Sequence, residues 1–164
     1  MRFIASLPVV LLLCACLSLN ACGWRLQGSE RLSQNLTVIY VDAEDRYTDF
    51  NRALRDRLRA AGAKVTERST DATAVVRISK DQSGQRVLSV SARNTPEEYE
   101  VFYSIEYSVT SGATELIAVQ PLEVTRDYSY DTTAVLAKQR EQAVLREALA
   151  QDLASLVLRR LASL

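Results

Sequence analysis

The stretch EYEVFYSIEYSV (residues 98–109) alternates apolar and polar side chains, with Phe102 as the one exception. Its odd positions form one face: Tyr99, Val101, Tyr103, Ile105, Tyr107 and Val109. Successive side chains of a β-strand point to opposite faces, so this period of two predicts a strand with one buried and one solvated face. Because the pattern is the longest of its kind in the chain, we expect this strand to be central in a sheet.

Shorter alternating runs on both sides of residues 98–109 predict neighbouring strands. Two upstream runs alternate with polar residues: Val76 and Ile78, then Leu88, Val90 and Ala92. Ser83-Gly84 lies between these runs and predicts the turn of a hairpin. A downstream run has apolar residues of one parity: Leu116, Ala118, Leu122, Val124, Tyr128 and Tyr130. Pro121 within that run indicates an edge strand or a bulge, because proline cannot donate a ladder hydrogen bond.

The flanks of this β-rich region predict one more strand and two helices. Leu36–Val41 is rich in β-branched residues and predicts a short buried strand. Thr48 or Asp49 can cap a helix that stops at Gly62 and has apolar residues at three/four spacing: Phe50, Ala53, Leu54, Leu58 and Ala61. Its other face carries charges that we expect to be solvated: Arg52, Arg55, Asp56 and Arg59. After Thr133 the chain lacks glycine and proline and predicts a long helix with an apolar stripe: Leu145, Leu149, Leu153, Leu156, Val157 and Leu161.

These elements predict an α+β fold in the order β-α-β-β-β-α. Each helix has one apolar stripe that must be buried, and an amphipathic sheet offers a surface on which both helices can pack. We therefore expect a two-layer sandwich: about four strands in a mixed or antiparallel sheet, with two helices packed on it. Residues 22–164 are enough for a single domain.

Residues 1–21 have the features of a lipoprotein signal peptide. Arg2 is followed by an apolar run, Phe3–Leu19, that is too short to be a convincing membrane-spanning helix. The run ends in LNAC (residues 19–22), which resembles a lipobox and implies cleavage before Cys22 and lipidation of that residue. Cys14 and Cys16 would leave with the signal peptide, so no disulfide could form within the mature chain. An ordinary signal peptide cut elsewhere, or cleavage at Cys14 or Cys16, is the alternative.

The composition argues against several classes of function. Lys+Arg and Asp+Glu are both 20, so no net charge favours nucleic acid as a partner. The chain contains no histidine, which excludes histidine-dependent hydrolases and histidine-based zinc sites. Glu97, Glu98 and Glu100 could be proposed as acid–base carboxylates, but Glu98 and Glu100 alternate with apolar residues as on a solvated strand face. The five glycines are scattered, so there is no phosphate-binding loop. We expect no enzymatic activity, no cofactor and no metal site.

Four short motifs occur in order along the chain. CGWRLQG (residues 22–28) follows the signal peptide, Glu98-Tyr99 opens the long strand, Val124-x-Arg126 ends another, and LAKQRE (residues 136–141) lies in the second helix. In this order and spacing the motifs resemble the LptE family of lipopolysaccharide-assembly lipoproteins, over essentially the whole mature chain. Arg25 and Gln27 stand where His and Arg are frequent in that family, so no basic role carries over to Gln27.

The resemblance implies an outer-membrane lipoprotein, anchored by its lipid on the periplasmic side, that plugs an LptD-like β-barrel, helps the barrel assemble and binds lipopolysaccharide. A barrel lumen is polar, which suits a nearly neutral plug. Arg93 at a strand end and Lys138 match basic positions of the family and are the expected lipopolysaccharide contacts, with Arg126 as a third candidate. A surface salt bridge is the alternative reading of each residue.

A rival class of lipoprotein has the same anchor and size. It comprises auxiliary subunits of lipid ABC transporters and scaffolds for other outer-membrane barrels, which make no contact with lipopolysaccharide. Only the LptE reading predicts a stoichiometric complex with a very large barrel.

Overall fold

The computed structural model of the chain describes residues 32–33, 36–129 and 135–164, without the side chains of residues 129 and 135–139. In chain order the elements are β1 (Val38–Ala43), α1 (Asp49–Ala60), β2 (Lys64–Thr66), a 3-10 turn (Ser69–Asp71), β3 (Ala74–Val90), β4 (Pro96–Ser111), β5 (Thr114–Ser129) and α2 (Val135–Ala162). The predicted α+β class and element order are confirmed, with one strand more than expected. The additional strand, β2, has three residues and is too short to show a period in the sequence.

The five strands form one mixed sheet in the order β2-β1-β3-β4-β5. β1 pairs in parallel with β2 and β3, whereas β3, β4 and β5 follow one another as an antiparallel meander. Residues 98–109 lie in β4, an interior strand paired along both edges, while β3 holds the middle position. β5 is an edge strand, as Pro121 indicated, and this proline lies opposite Glu106 of β4.

The hairpin turn predicted at Ser83-Gly84 is wrong. β3 continues through both residues, and the chain turns at residues 91–95, where Asn94 has a φ of +57°. Gly84 instead lies under the ring of Phe102 on the next strand. A Cβ atom at this position would lie only 2.8 Å from Cζ of that ring. This glycine makes room for an aromatic ring on β4.

Helix α1 begins and ends where the sequence predicts. Thr48 is its N-cap, since the Thr48 hydroxyl accepts the N–H of Asn51 at 3.1 Å, and Gly62 follows its end with a φ of +90°. One residue of the face expected to be solvated, Arg55, is buried. Arg55 is held there because its Nε donates to Asn51 Oδ1 at 2.9 Å and its Nη1 to Glu67 at 2.7 Å.

The core lies between the sheet and the two helices, which pack on the same face of the sheet and on each other. β4 contributes its odd positions from Val101 to Val109, and α2 contributes most of its predicted stripe, with Leu145 only partly buried and Leu156 in an intermediate position. The single parity predicted for β5 is wrong at Ala118, which is exposed. A register shift in the β4–β5 ladder buries Ile117 instead. Among the described residues, neither helix is both long and apolar enough to cross a membrane.

Candidate functional site

The candidate site lies at the end of the β3–β4 hairpin, where residues 91–95 form the turn. The N–H of Ser91 donates to the carbonyl of Thr95 at 2.8 Å, and the Ser91 hydroxyl accepts the N–H of Arg93 at 3.3 Å. These bonds hold the backbone of Arg93 in the turn, and its side chain is exposed.

Arg93 belongs to the smaller group of described arginines that form no ion pair, with Arg57, Arg140, Arg159 and Arg160. Nine other arginines form ion pairs in the described part of the chain: Arg46, Arg52, Arg55, Arg59, Arg68, Arg77, Arg86, Arg126 and Arg146. Within that same part, the guanidinium of Arg93 has no carboxylate partner. Its five N–H donors can therefore meet an external anion without first breaking an internal pair.

Cross-strand contacts stabilise the end of the sheet next to this turn. Val87 of β3 lies opposite Tyr99 of β4, which lies opposite Tyr128 of β5. The two tyrosine rings stack with centroids 5.8 Å apart, and the Tyr128 hydroxyl donates to Gln85 at 2.9 Å. Such cross-strand pairs stabilise a sheet, so they stabilise the strands from which the turn with Arg93 extends.

The sheet face opposite the helices has its own charge network, centred on Arg86. Its guanidinium pairs with Glu100 and with Glu123, at 3.2 Å for the latter, and lies 5.3 Å from the centroid of the Phe102 ring. The hydrogen bond from Arg86 lowers the pKa of Glu100, and the same bond raises the pKa of Arg86. Because Arg86 already neutralises these carboxylates, it is a poor candidate for binding an anion.

Arg126 also forms an ion pair. Its Nη2 pairs with Asp152 at 2.8 Å and so links β5 to α2. Arg126 lies opposite Val101, five residues along β4 from Pro96, which places it about 17 Å from the hairpin end at about 3.4 Å per residue. The structure therefore does not bring Arg126 together with Arg93, and a ligand at Arg126 would compete with Asp152.

Of the two other residues predicted from the sequence, the structure describes only the backbone of Lys138. Lys138 belongs to the first turn of α2, but its side chain lies outside the described part of the chain. Cys22 lies outside the described residues altogether. Their roles stay predictions.

A polar network that sequence reasoning missed joins β3, β4 and the start of α1. The hydroxyl of Tyr103 donates to Asp81 at 2.8 Å, and the hydroxyl of Thr48 donates to the other oxygen of Asp81 at 2.6 Å. Burial, followed by the bond to Asp81, raises the pKa of Tyr103. Thr48 was recognisable as a helix cap, but no local signal links it to Asp81, which is 33 residues away in sequence.

A cavity of about 340 Å³ opens beside this network. Its lining includes the carboxylates of Glu44, Asp45 and Asp81, which would repel an anion, and the ammonium of Lys80. No cluster of the described residues could hold a metal ion. The carboxylates therefore make this cavity a poor site for an anion.

Comparison with known proteins gives consistent matches. The sequence profile of the LptE family, described as lipopolysaccharide-assembly, matches residues 36–161. The LPS-assembly lipoprotein LptE of Pectobacterium atrosepticum is 24% identical over 85% of this chain and 76% of its own length. The protein of the same name in Yersinia enterocolitica is 23% identical over 93% of this chain and 74% of its own length.

Two solved structures with the same fold are lipoproteins. The rare lipoprotein B of Shewanella oneidensis is 28% identical, with a TM-score of 0.67 over 77% of this chain and 94% of that one. A lipoprotein B from Nitrosomonas europaea is 23% identical, with a TM-score of 0.71 over 86% of this chain and 91% of that one. At this identity the second likeness shows the fold alone.

Proposed function

The chain belongs to the LptE family, and from this premise we propose that it is an outer-membrane lipoprotein that assists the export of lipopolysaccharide. It would be anchored through Cys22 on the periplasmic side, occupy the lumen of an LptD-like β-barrel and help that barrel assemble. The observation that carries the proposal is the extent of the family match, which runs from just before β1 to the end of α2. Catalysis has no part in this role.

The sheet face opposite the helices supports a place inside a barrel. From Glu98 onward, the even positions of β4 are polar except for Phe102. Opposite charges from neighbouring strands pair across this face, as in Arg77–Asp42 and Arg86–Glu100. Barrel lumens are lined by polar side chains and water. A face with paired charges can be wetted there without repulsion of one sign.

Lipopolysaccharide binding is the finer part of the proposal. Its phosphates need cationic donors, and Arg93 presents a guanidinium with no internal carboxylate partner in the described part of the chain. Lys138 is the second proposed contact, from the first turn of α2. Arg126 is a third and weaker contact because Asp152 already holds it.

Co-purification tests the barrel partnership. The full-length chain, tagged at its C-terminus and expressed in its own membrane, should be recovered in equal amounts with one very large β-barrel. Recovery with a lipid ABC transporter, or with a different barrel, would favour the rival class of lipoprotein and overturn the proposal.

Charge reversal tests the lipopolysaccharide contacts. Charge-assisted contacts are worth about 1.5–3 kcal/mol each, so Arg93→Asp with Lys138→Asp should weaken binding by roughly two to four orders of magnitude if the two losses add. The control is Lys64→Asp with Arg159→Asp, which reverses two exposed charges at other places. If the folded double variant binds lipopolysaccharide as well as the parent and the control do, Arg93 and Lys138 are ordinary surface charges.

A further inference from the structure

The end of β3 exposes three large apolar side chains within four residues. Val87 and Leu88 are each 48% exposed and Val90 is 52% exposed. The other exposed large apolar residues of the described chain lie singly: Tyr47, Val119, Val144 and Leu164. Isolated exposed apolar residues are normal, whereas several close together at one strand end favour contact with another molecule.

Leu88 is exposed because the strand is irregular at this point. The register shifts between Val87, which is opposite Tyr99, and Ser89, which is opposite Glu98, so Leu88 is an extra residue without a partner on β4. A bulge of this kind interrupts the alternation of side chains and redirects the extra one. Two apolar residues that are neighbours in sequence can therefore both meet solvent.

We infer that Val87, Leu88 and Val90 form a platform for the acyl chains of lipopolysaccharide, next to the phosphate contact at Arg93. The inference rests on the proposed function and adds to it the surface that holds the lipid part of the ligand. Arg93 follows Val90 by three residues, in the turn that the platform leads into. In lipopolysaccharide the phosphates are joined closely to the acyl chains. The phosphates would contact Arg93 while the acyl chains contact the neighbouring platform.

The charges of the hairpin confine the two contacts. Glu97 and Glu98 are exposed at the start of β4, and the Ser89 hydroxyl donates to Glu98 at 2.8 Å. These carboxylates repel phosphate, so the anion contact is limited to the turn and the apolar contact to β3.

Two other occupants of the platform fit less well. Three side chains are too few for a stable dimer, which buries about 800 Å² on each copy. A polar barrel lumen does not match an apolar platform.

The experiment compares two ligands on the full-length protein. One is lipopolysaccharide, and the other is the same molecule after complete deacylation, which keeps the phosphates. The variant Val87→Ser/Leu88→Ser/Val90→Ser should bind lipopolysaccharide about 10- to 100-fold more weakly, because apolar contact area is lost, and should bind the deacylated form as the parent does. Val119→Ser/Val144→Ser, which changes two similarly exposed valines elsewhere, should leave both affinities unchanged.

The outcomes separate the inference from the proposed function. If the parent binds no lipopolysaccharide, the proposed function fails and the platform with it. If the triple variant binds lipopolysaccharide normally while Arg93→Asp weakens it, or if it loses both ligands equally, the platform is refuted and the function stands. Loss of barrel co-purification with normal lipopolysaccharide binding would assign the surface to the barrel and also refute the platform. Should the triple variant melt early, Leu88→Asn alone changes the extra residue of the bulge and takes its place.

Discussion

Replacing Tyr103 by phenylalanine removes one hydroxyl from the centre of the polar network between the sheet and α1. That hydroxyl donates to Asp81 at 2.8 Å and accepts the N–H of Phe50 at 3.2 Å, and the residue is only 3% exposed. The phenylalanine ring keeps the packing against Phe50, whose ring centroid lies 6.5 Å away. The substitution therefore isolates the two hydrogen bonds from the apolar contacts.

The expected cost follows from what each partner loses. A hydrogen bond to a charged group is worth about 1.5–3 kcal/mol, and a buried N–H without a partner costs about 1–3 kcal/mol. Asp81 keeps its bond from Thr48 and is partly exposed, which reduces the first loss. We expect Tyr103→Phe to lower the free energy of unfolding by about 2–4 kcal/mol.

Tyr107→Phe is the matched control in the same strand. The Tyr107 hydroxyl accepts one neutral hydrogen bond, from Gln120 at 2.9 Å, so its loss should cost about 0.5–1.5 kcal/mol. Urea unfolding followed by circular dichroism measures both variants on one scale. Equal losses in the two variants, or a loss below about 1 kcal/mol for Tyr103→Phe, would show that the network contributes no more than the single neutral bond of Tyr107.

The same hydroxyl gives a pH dependence of known sign. Burial raises the pKa of Tyr103 above that of an unfolded tyrosine, so above pH 10 the folded chain holds a proton that the unfolded chain releases. The free energy of unfolding of the parent should therefore fall as the pH rises above about 10. Tyr103→Phe should show a smaller fall, and an unchanged slope would contradict this origin.

Three further predictions concern two single contacts and the lipid anchor. Gly84→Ala should lower stability by about 1–3 kcal/mol, because the new Cβ meets the Phe102 ring 2.8 Å away, and the loss should vanish in a Phe102→Ala background when both are measured by urea unfolding. Arg126→Ala should lower the free energy of unfolding by less than about 1 kcal/mol, because its pair with Asp152 is about half exposed. A larger loss in thermal unfolding would show that this pair stabilises the fold more than exposed pairs do. The intact mass of the protein should show a chain that begins at acylated Cys22, and a mature chain without acyl mass would refute lipidation.

Features decided by neighbouring residues were predictable from the sequence. The limits of α1 follow from the Thr48 cap and from Gly62, which both act within one turn of the helix. The buried face of β4 follows from a period of two, which the pleat of a strand imposes on its own residues. Arg93 was placed at a strand end, and it lies in the turn directly after β3.

Features decided by distant residues were not predictable in this way. Ser83-Gly84 has the composition of a turn, but its glycine is required by Phe102 on the next strand. Arg55 has the spacing of a solvated residue, and its burial depends on a carboxylate beyond β2. The partner of Arg126 is 26 residues away, on α2, so no local pattern could distinguish this arginine from Arg93.

The proline in the outer strand has a consequence for how copies of the protein meet. An edge strand presents a row of unpaired N–H and carbonyl groups on which a strand of another molecule can form. Pro121 removes one donor near the middle of β5, Thr114–Ser129, and leaves two short segments of edge. We therefore expect Pro121 to disfavour growth of a continuous sheet from copy to copy along β5.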